Sequence, residues 1–143
     1  MKNYLDMNNL YIVDEIQNVK EGIQIASQLL EKNEYTDANY SKAVIKNFEK
    51  YGKNFIISPY IILPHARPEQ GVIKNGFSIV LVKKPLFCED AKATVRLIIV
   101  LAARSSKDHL DFLKYFASIL NDDTKISTIL QAKEKHDLYE GFI

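Results

Sequence analysis

The chain has 143 residues, of which 47% are hydrophobic and 26% charged, with a formal net charge of +1. That is an ordinary globular composition, long enough for one domain with a real core, and the near-zero charge removes any general electrostatic case for nucleic acid or an anionic membrane as partner. Cys88 is the only cysteine, which excludes an internal disulfide and a multi-cysteine metal site and fits a reducing compartment.

Met1–Asp6 has no apolar core of the kind a signal peptide needs. The longest apolar run, Leu97 to Ala103, is far too short to cross a bilayer. The expectation is a cytoplasmic protein, with residues 1–143 forming a single domain.

Leu10-Tyr11-Ile12-Val13 is a compact apolar run of strand length. Asn18 then offers an N-cap with Glu21 three residues on, as in a capping box. Val19, Ile23, Ala26, Leu29 and Leu30 recur at helical spacing, so the pattern predicts a helix over 18–32. Thr36 or Asp37 caps a second helix carrying Tyr40, Ala43, Val44, Asn47 and Phe48 on one side, with Gly52 as its terminator. Phe55-Ile56-Ile57 and Ile61-Ile62-Leu63 read as two short strands around Ser58-Pro59-Tyr60.

Gly71, Asn75 and Gly76 mark turns. Phe77 to Val82 is the next strand, stopped by Lys83-Lys84-Pro85. Val95 to Ala103 is the most apolar segment, and its β-branched content predicts a central strand buried on both faces. Ser105 or Ser106 caps a helix with Asp108 and His109 in its first turn and an expected inner stripe of Leu110, Leu113, Phe116, Ala117 and Leu120. Asp122 or Asp123 caps a short helix through Ile126, Ile129 and Leu130, and a charged segment over 133–140 follows. Helices before and after four or five short strands point to an α+β architecture, with helices packed on both faces of a mixed sheet.

The chemistry concentrates at Ile61-Ile62-Leu63-Pro64-His65-Ala66-Arg67-Pro68-Glu69. Pro64 cannot donate to a sheet ladder and so belongs at a strand end, which puts His65 where a rigid strand gives way to a loop. Arg67 brings a permanent cation near that imidazole, and Pro68 stiffens the exit. A neutral imidazole beside a guanidinium suits reversible capture of an anionic group such as phosphoryl. The alternative is a partly buried histidine satisfied by a backbone carbonyl.

His109, at a helix start directly after the strongest strand, lies among free backbone N–H groups that favour an anion. If that strand runs beside the one leading to His65, the two imidazoles meet at one end of the sheet. Otherwise His109 is a polar helix-start residue. His136, among Lys133, Glu134, Lys135 and Asp137, reads as part of a solvated face. A zinc site would need a third ligand from Cys88, Glu69 or Asp108, and none has a signature spacing. Cys88 beside Glu89 and Asp90 reads as a packed, unreactive thiol. No nucleophile elbow, Walker-type loop or dinucleotide fingerprint is present, so neither a serine hydrolase nor direct use of a nucleotide is expected.

The segment Leu63-Pro64-His65-Ala66-Arg67-Pro68-Glu69-Gln70-Gly71-Val72, with Tyr40, Ala43 and Glu49 upstream and Lys84-Pro85, Phe87, Leu101-Ala102-Ala103 and His109-Leu110 downstream, resembles the IIA component of the bacterial sugar phosphotransferase system, in its mannitol/fructose superfamily (type 2) and closest to the ascorbate-like branch. The resemblance covers nearly the whole chain.

It implies a three-layer α/β/α sandwich and a phosphocarrier. His65 would accept a phosphoryl group on Nε2 from the phosphohistidine of HPr, with Nδ1 held by a backbone carbonyl. It would then pass the group to a cysteine of a cognate IIB domain serving a membrane IIC permease. His109 would bind the phosphoryl oxygens, with Arg67 supplying charge in place of an arginine that the mannitol branch carries near Asn47. No metal or other cofactor is implied, and whether the chain forms a homodimer stays open.

The chain departs from the pattern at Tyr60-Ile61-Ile62, where family members often have Gly-Ile-Ala. It departs again at Leu86-Phe87-Cys88 and Ala93-Thr94-Val95. The bulk of Tyr60 and Ile62 motivates a different reading, a regulatory protein-interaction module that keeps the IIA fold. A metal-dependent hydrolase using both histidines is a third.

Overall fold

The computed structural model describes residues 4–143. The start of the Met1–Asp6 segment, and residues 1–3 of the span expected to form one domain, lie outside the described residues.

Among the described residues, five strands and five α-helices make three layers. In chain order they are β1 (Leu5–Val13), α1 (Val19–Lys32), α2 (Ala38–Tyr51), β2 (Ile56–Ser58), β3 (Tyr60–Ile62), β4 (Gly76–Cys88), β5 (Ala93–Ala102), α3 (Ser106–Leu120), α4 (Asp123–Leu130) and α5 (Lys135–Gly141). The sheet order is β1-β4-β5-β3-β2. β1 runs parallel to β4 and β3 parallel to β5, while β4–β5 and β2–β3 are antiparallel. The sheet is therefore mixed, as expected.

β5 sits in the middle, and its near-continuous apolar run follows from burial on both sides. Leu97, Ile99 and Leu101 pack with Phe112, Phe116, Ile119, Ile129 and Leu138 of α3, α4 and α5. Ile98, Val100 and Ala102 pack with Ile23, Ala26, Leu30, Val44 and Phe48 of α1 and α2. Strand alternation thus sorts one strand's side chains into two cores.

Four of the helices start on a side-chain cap. The side-chain oxygens of Asn18, Asp37, Ser105 and Asp122 accept from the backbone N–H groups of Glu21, Tyr40, Asp108 and Lys125, at 2.9, 3.1, 3.1 and 3.1 Å. Each satisfies a donor that the helix itself leaves unpaired, worth about 1 kcal/mol. Glu21 completes only half of the expected capping box, because its carboxylate accepts from Gln17 N–H rather than from the cap residue.

Several expectations are corrected. β1 begins at Leu5, not Leu10. Its register to β4 slips between Leu5↔Phe77 and Leu10↔Ile79, so Asp6–Asn9, polar except for Met7, are absorbed in a bulge, which Asn33 ties to the end of α1 through Asn8 O and Asn9 Oδ1. β2 and β3 sit one residue off the positions read from sequence.

β4 does not stop at Lys83. It runs to Cys88, and Pro85 is tolerated because it falls within the register shift between Leu81 and Leu86, where no ladder bond is demanded of it. Gly52 is the C-cap that ends α2, as expected, but not in a left-handed conformation. At φ −42° it continues into a 3₁₀ turn over Gly52–Phe55, and what demands glycine is Asp90, whose Cβ and carbonyl would lie 3.0 Å from an added Cβ.

The buried stripe of α3 is Phe112, Phe116 and Ile119; of the residues read from sequence only Phe116 is fully in it, Leu113 and Leu120 pack half-buried beside it, and Leu110 stands 51% exposed. The aromatic stripe wins because Phe77 of β4 waits beneath it. The Phe77 ring lies 5.9, 5.1 and 6.4 Å from those of Phe112, Phe116 and Phe142.

Phe77 has no exposed surface, so Phe77→Ala should lower unfolding free energy by about 3–5 kcal/mol. Ile73→Ala, at a half-exposed loop position, should cost under about 0.5 kcal/mol. Urea denaturation of both variants checks this, and a Phe77→Ala loss below about 1 kcal/mol would contradict the packing described.

Candidate functional site

β3 leads the chain along β5 in parallel, with Ile62 opposite Ile98. Pro64 then interrupts the ladder, having no N–H to give. Pairing resumes at a single bridge between His65 and Leu101, where Leu101 N–H reaches Pro64 O at 3.4 Å. His65 is thus carried to the end of the sheet at which β5 turns into α3.

Three successive residues of the loop are tied down. Asn47 Nδ2 of α2 donates to the His65 carbonyl at 3.2 Å. Ala66 N–H donates to the Tyr40 hydroxyl at 3.1 Å, and that hydroxyl in turn donates to the carbonyl of Leu101. Arg67 N–H donates to Gln70 Oε1 at 2.9 Å, closing the 3₁₀ turn Pro68–Gln70. Gly71 ends that turn at φ +133°. Its carbonyl accepts from Asp37 N–H at 2.9 Å, and an added Cβ would lie 2.1 Å from Asp37 Oδ1, so only glycine lets the loop close against the start of α2.

The imidazole of His65 is fixed in the same manner. Nδ1 lies 3.0 Å from Leu63 O. A carbonyl only accepts, so Nδ1 carries the proton and Nε2 keeps its lone pair. The edge of Phe55 meets the ring at a centroid distance of 5.1 Å and 75°. On another side lies His109, with ring centroids 4.7 Å apart. The capped start of α3 brings it there, and His109 N–H bonds Ser105 O at 2.9 Å. The two histidines read separately from sequence do meet at one end of the sheet, because their strands are parallel neighbours.

A pocket of about 310 Å³ opens at this point, lined among others by Asn47, His65, Arg67, Ser105, Ser106 and His109. No carboxylate lines it. Arg67 is exposed at its rim and forms no ion pair among the described residues. Asp108 points its charge into the cap instead. Its carboxylate accepts from Ser105 Oγ at 2.9 Å, and hydrogen bonds from Asn75 and Ser105 hold it below the usual carboxylate range.

Burial pushes the His65 pKa down, the neighbouring His109 adds to this, and the Leu63 carbonyl opposes it. Burial also lowers that of His109. Both rings are therefore neutral at neutral pH. The result is a concave, carboxylate-free pocket with one cation, two neutral imidazoles and a helix start, suited to an anion that a nitrogen lone pair can attack.

Other candidates fall elsewhere. Cys88 is buried opposite Ala93, at the far end of β5 from His65, and its thiol pKa is raised, first by burial. Glu69 is exposed, and His136 lies on the exposed face of α5, 3.9 Å from Glu140. Among the described residues no three His, Cys, Asp or Glu side chains gather where a metal ion could be held. Ile62 is fully buried, so it offers no rim to a partner, and Tyr60 stands at the opposite end of β3 from the pocket.

Sequence reasoning put Tyr40 and Asn47 on one helix face but missed what that face does. The signal was available. A tyrosine on a buried stripe needs a partner for its hydroxyl, and Asn47 follows two turns later. Tyr40→Phe removes the link between Ala66 and Leu101, leaving a half-buried N–H and a buried carbonyl without that partner, and should cost about 1–3 kcal/mol. It should also speed hydrogen exchange of the Ala66 amide by tenfold or more. Unchanged exchange at Ala66 would contradict the assigned link.

The phosphoenolpyruvate-dependent sugar phosphotransferase system EIIA 2 family model matches residues 3–143. An ascorbate-specific PTS system EIIA component of Salmonella typhi is 34% identical over 103 residues, 71% of this chain and 67% of that protein. The fold superposes on the solution structure of a mannitol-specific cryptic phosphotransferase enzyme IIA of Escherichia coli with a TM-score of 0.88, at 22% identity over 98% of this chain and 95% of that one. It also superposes on the Escherichia coli mannitol enzyme IIA solved in complex with phosphorylated enzyme IIB, with a TM-score of 0.81 at 21% identity over 94% of each chain. A chain matched from residue 3 to its last residue, with the same mixed sheet and helix layers, belongs to the type 2 EIIA family of the sugar phosphotransferase system.

Proposed function

We propose that this chain is a phosphocarrier whose working atom is His65 Nε2. It accepts a phosphoryl group from the phosphohistidine of HPr and passes it to the cysteine of a cognate IIB domain, which serves a membrane IIC permease during sugar uptake. The single observation that carries the reading is the pairing of a Leu63-fixed His65 ring with His109 in a pocket that no carboxylate lines.

The step needs little machinery. The Nε2 lone pair of neutral His65 forms the new N–P bond as the carrier's N–P bond breaks, and the departing imidazole keeps the electron pair. Nδ1–H stays on Leu63 throughout, so no proton has to move. In the onward step a thiolate of the IIB cysteine attacks phosphorus, and His65 leaves as the same neutral tautomer.

Phosphoryl transfer is loose and largely a matter of alignment and stabilisation of the equatorial oxygens. His109, the Arg67 guanidinium and the first N–H groups of α3 supply the donors. A group already activated on nitrogen requires neither metal nor nucleotide from this protein.

A IIB partner is supported by the Escherichia coli mannitol complex, and an ascorbate-type sugar by the Salmonella typhi relative. Residues 1–143 act as one domain in this reading. Among the described residues no helix is long and apolar enough to cross a membrane, and the proposed site of action is the cytoplasmic face of the permease.

Incubated with phosphoenolpyruvate, enzyme I and HPr, the protein should gain one acid-labile phosphoryl group. His65→Ala should abolish it, and His109→Ala should slow the onward step by about 10²-fold. A label that persists in His65→Ala would overturn the assignment.

The pH dependence has a definite sign. The folded-state pKa of His65 lies below its unfolded value, so its contribution to stability is present above about pH 6.5 and lost as pH falls toward the folded value. The NMR titration midpoint of the His65 ring should lie below about 6.5, and a midpoint above that contradicts the buried, neutral ring.

A further inference from the structure

A second concavity lies at the other end of β3 and β5. Tyr60 is opposite Val95 and His65 opposite Leu101, so the two ends stand roughly 20 Å apart along the strand. This groove has a volume of about 590 Å³, within the range of small-molecule sites, and Ser58, Tyr60, Arg96, Asp123, Ser127 and Gln131 supply its polar lining.

Arg96 is the unusual member. Its guanidinium is half-buried, donating from Nε to Val82 O at 3.2 Å and from Nη2 to Leu130 O at 3.0 Å. Those bonds pin the end of α4 to the sheet. They use two of five donors, and among the described residues Arg96 makes no ion pair. A half-buried cation with no ion pair, at the wall of a groove, can take an anion, and a guanidinium's planar fork favours phosphate.

Tyr60 is the second feature. It follows Pro59 in a tight turn and takes φ +71°, the position that glycine fills without strain in a type II turn. A bulky side chain held there is a strained choice. It is also 44% exposed, so burying the ring is not what it gains. Its side chain lines the groove instead. Asp123, Ser127 and Gln131 add a carboxylate, a hydroxyl and an amide, the groups that hydrogen-bond a polyhydroxylated body. Asp123 also disfavours more than one anionic group.

We propose that this groove is a second binding site, and that its ligand is a small sugar phosphate. The phosphate sits on Arg96, the sugar face on Tyr60, and the hydroxyls on Asp123, Ser127 and Gln131. The site does not rest on the role assigned to His65.

The test is an NMR titration of the full chain with glucose 6-phosphate, with glucose and inorganic phosphate as parallel arms. Glucose 6-phosphate should shift the amides of Ser58, Tyr60, Ser127 and Gln131 saturably, at least tenfold more tightly than either fragment. Arg96→Gln should weaken that binding tenfold or more. Tyr60→Gly, which relieves the strained φ and so cannot fail by misfolding there, should weaken it severalfold. Both variants should still take phosphoryl from phospho-HPr at the unaltered rate.

Saturable shifts centred on His65 and His109 instead, equal binding of inorganic phosphate and glucose 6-phosphate, or no saturable shift at the groove would each overturn the proposal. Failure of phosphoryl acceptance by the unaltered chain would strike the His65 reading alone.

Discussion

One hydroxyl joins the layers of this fold at the site. Tyr40 Oη stands between the N–H of Ala66 and the carbonyl of Leu101, joining a helix of one layer to the end of the central strand and to the residue after His65. Tyr40 is 1% exposed, and burial raises its pKa far above the usual tyrosine value. The hydroxyl stays neutral and serves as donor and acceptor at once. Without it the only tie between the His65 loop and the central strand would be the single bridge beyond Pro64, with Asn47 left to hold the His65 carbonyl from α2.

What this clamp secures is direction as much as position. A histidine that carries a phosphoryl group must offer one nitrogen and withhold the other. Leu63 O takes Nδ1–H two residues before the loop is tied, and the ties at His65, Ala66 and Arg67 prevent the ring from trading that acceptor for water. The low-dielectric walls of Phe55 and Leu101 then favour the neutral form. Backbone, tautomer and charge state are set by neighbouring contacts rather than by one dominant interaction.

The parts legible in the sequence are those whose causes are local. Caps at Asn18, Asp37, Ser105 and Asp122 rest on a side chain reaching three residues forward, so they could be read to within one residue. The apolar run ending at Ala103 announced a central strand, and the proline before His65 announced a strand end. The alliance of His65 with His109 was legible only as a condition, since it depends on β3 and β5 being parallel neighbours. What stayed hidden rests on contacts distant in sequence. Residues 110–120 hold two overlapping stripes at helical spacing, and the choice between them lies with Phe77, far away in β4. Pro85 reads as a terminator until the register slip that accommodates it is known. Tyr40 meets Leu101 across 61 positions, and nothing near it in sequence foretells that.

The central claim is that Nε2 of His65 is the atom that receives phosphorus. The direct measurement is nitrogen–phosphorus coupling in the phosphorylated, ¹⁵N-labelled protein at neutral pH. The account predicts a phosphorus coupling to His65 Nε2, with Nδ1 still protonated as in the free state. Coupling to His65 Nδ1, or to either nitrogen of His109, would contradict it.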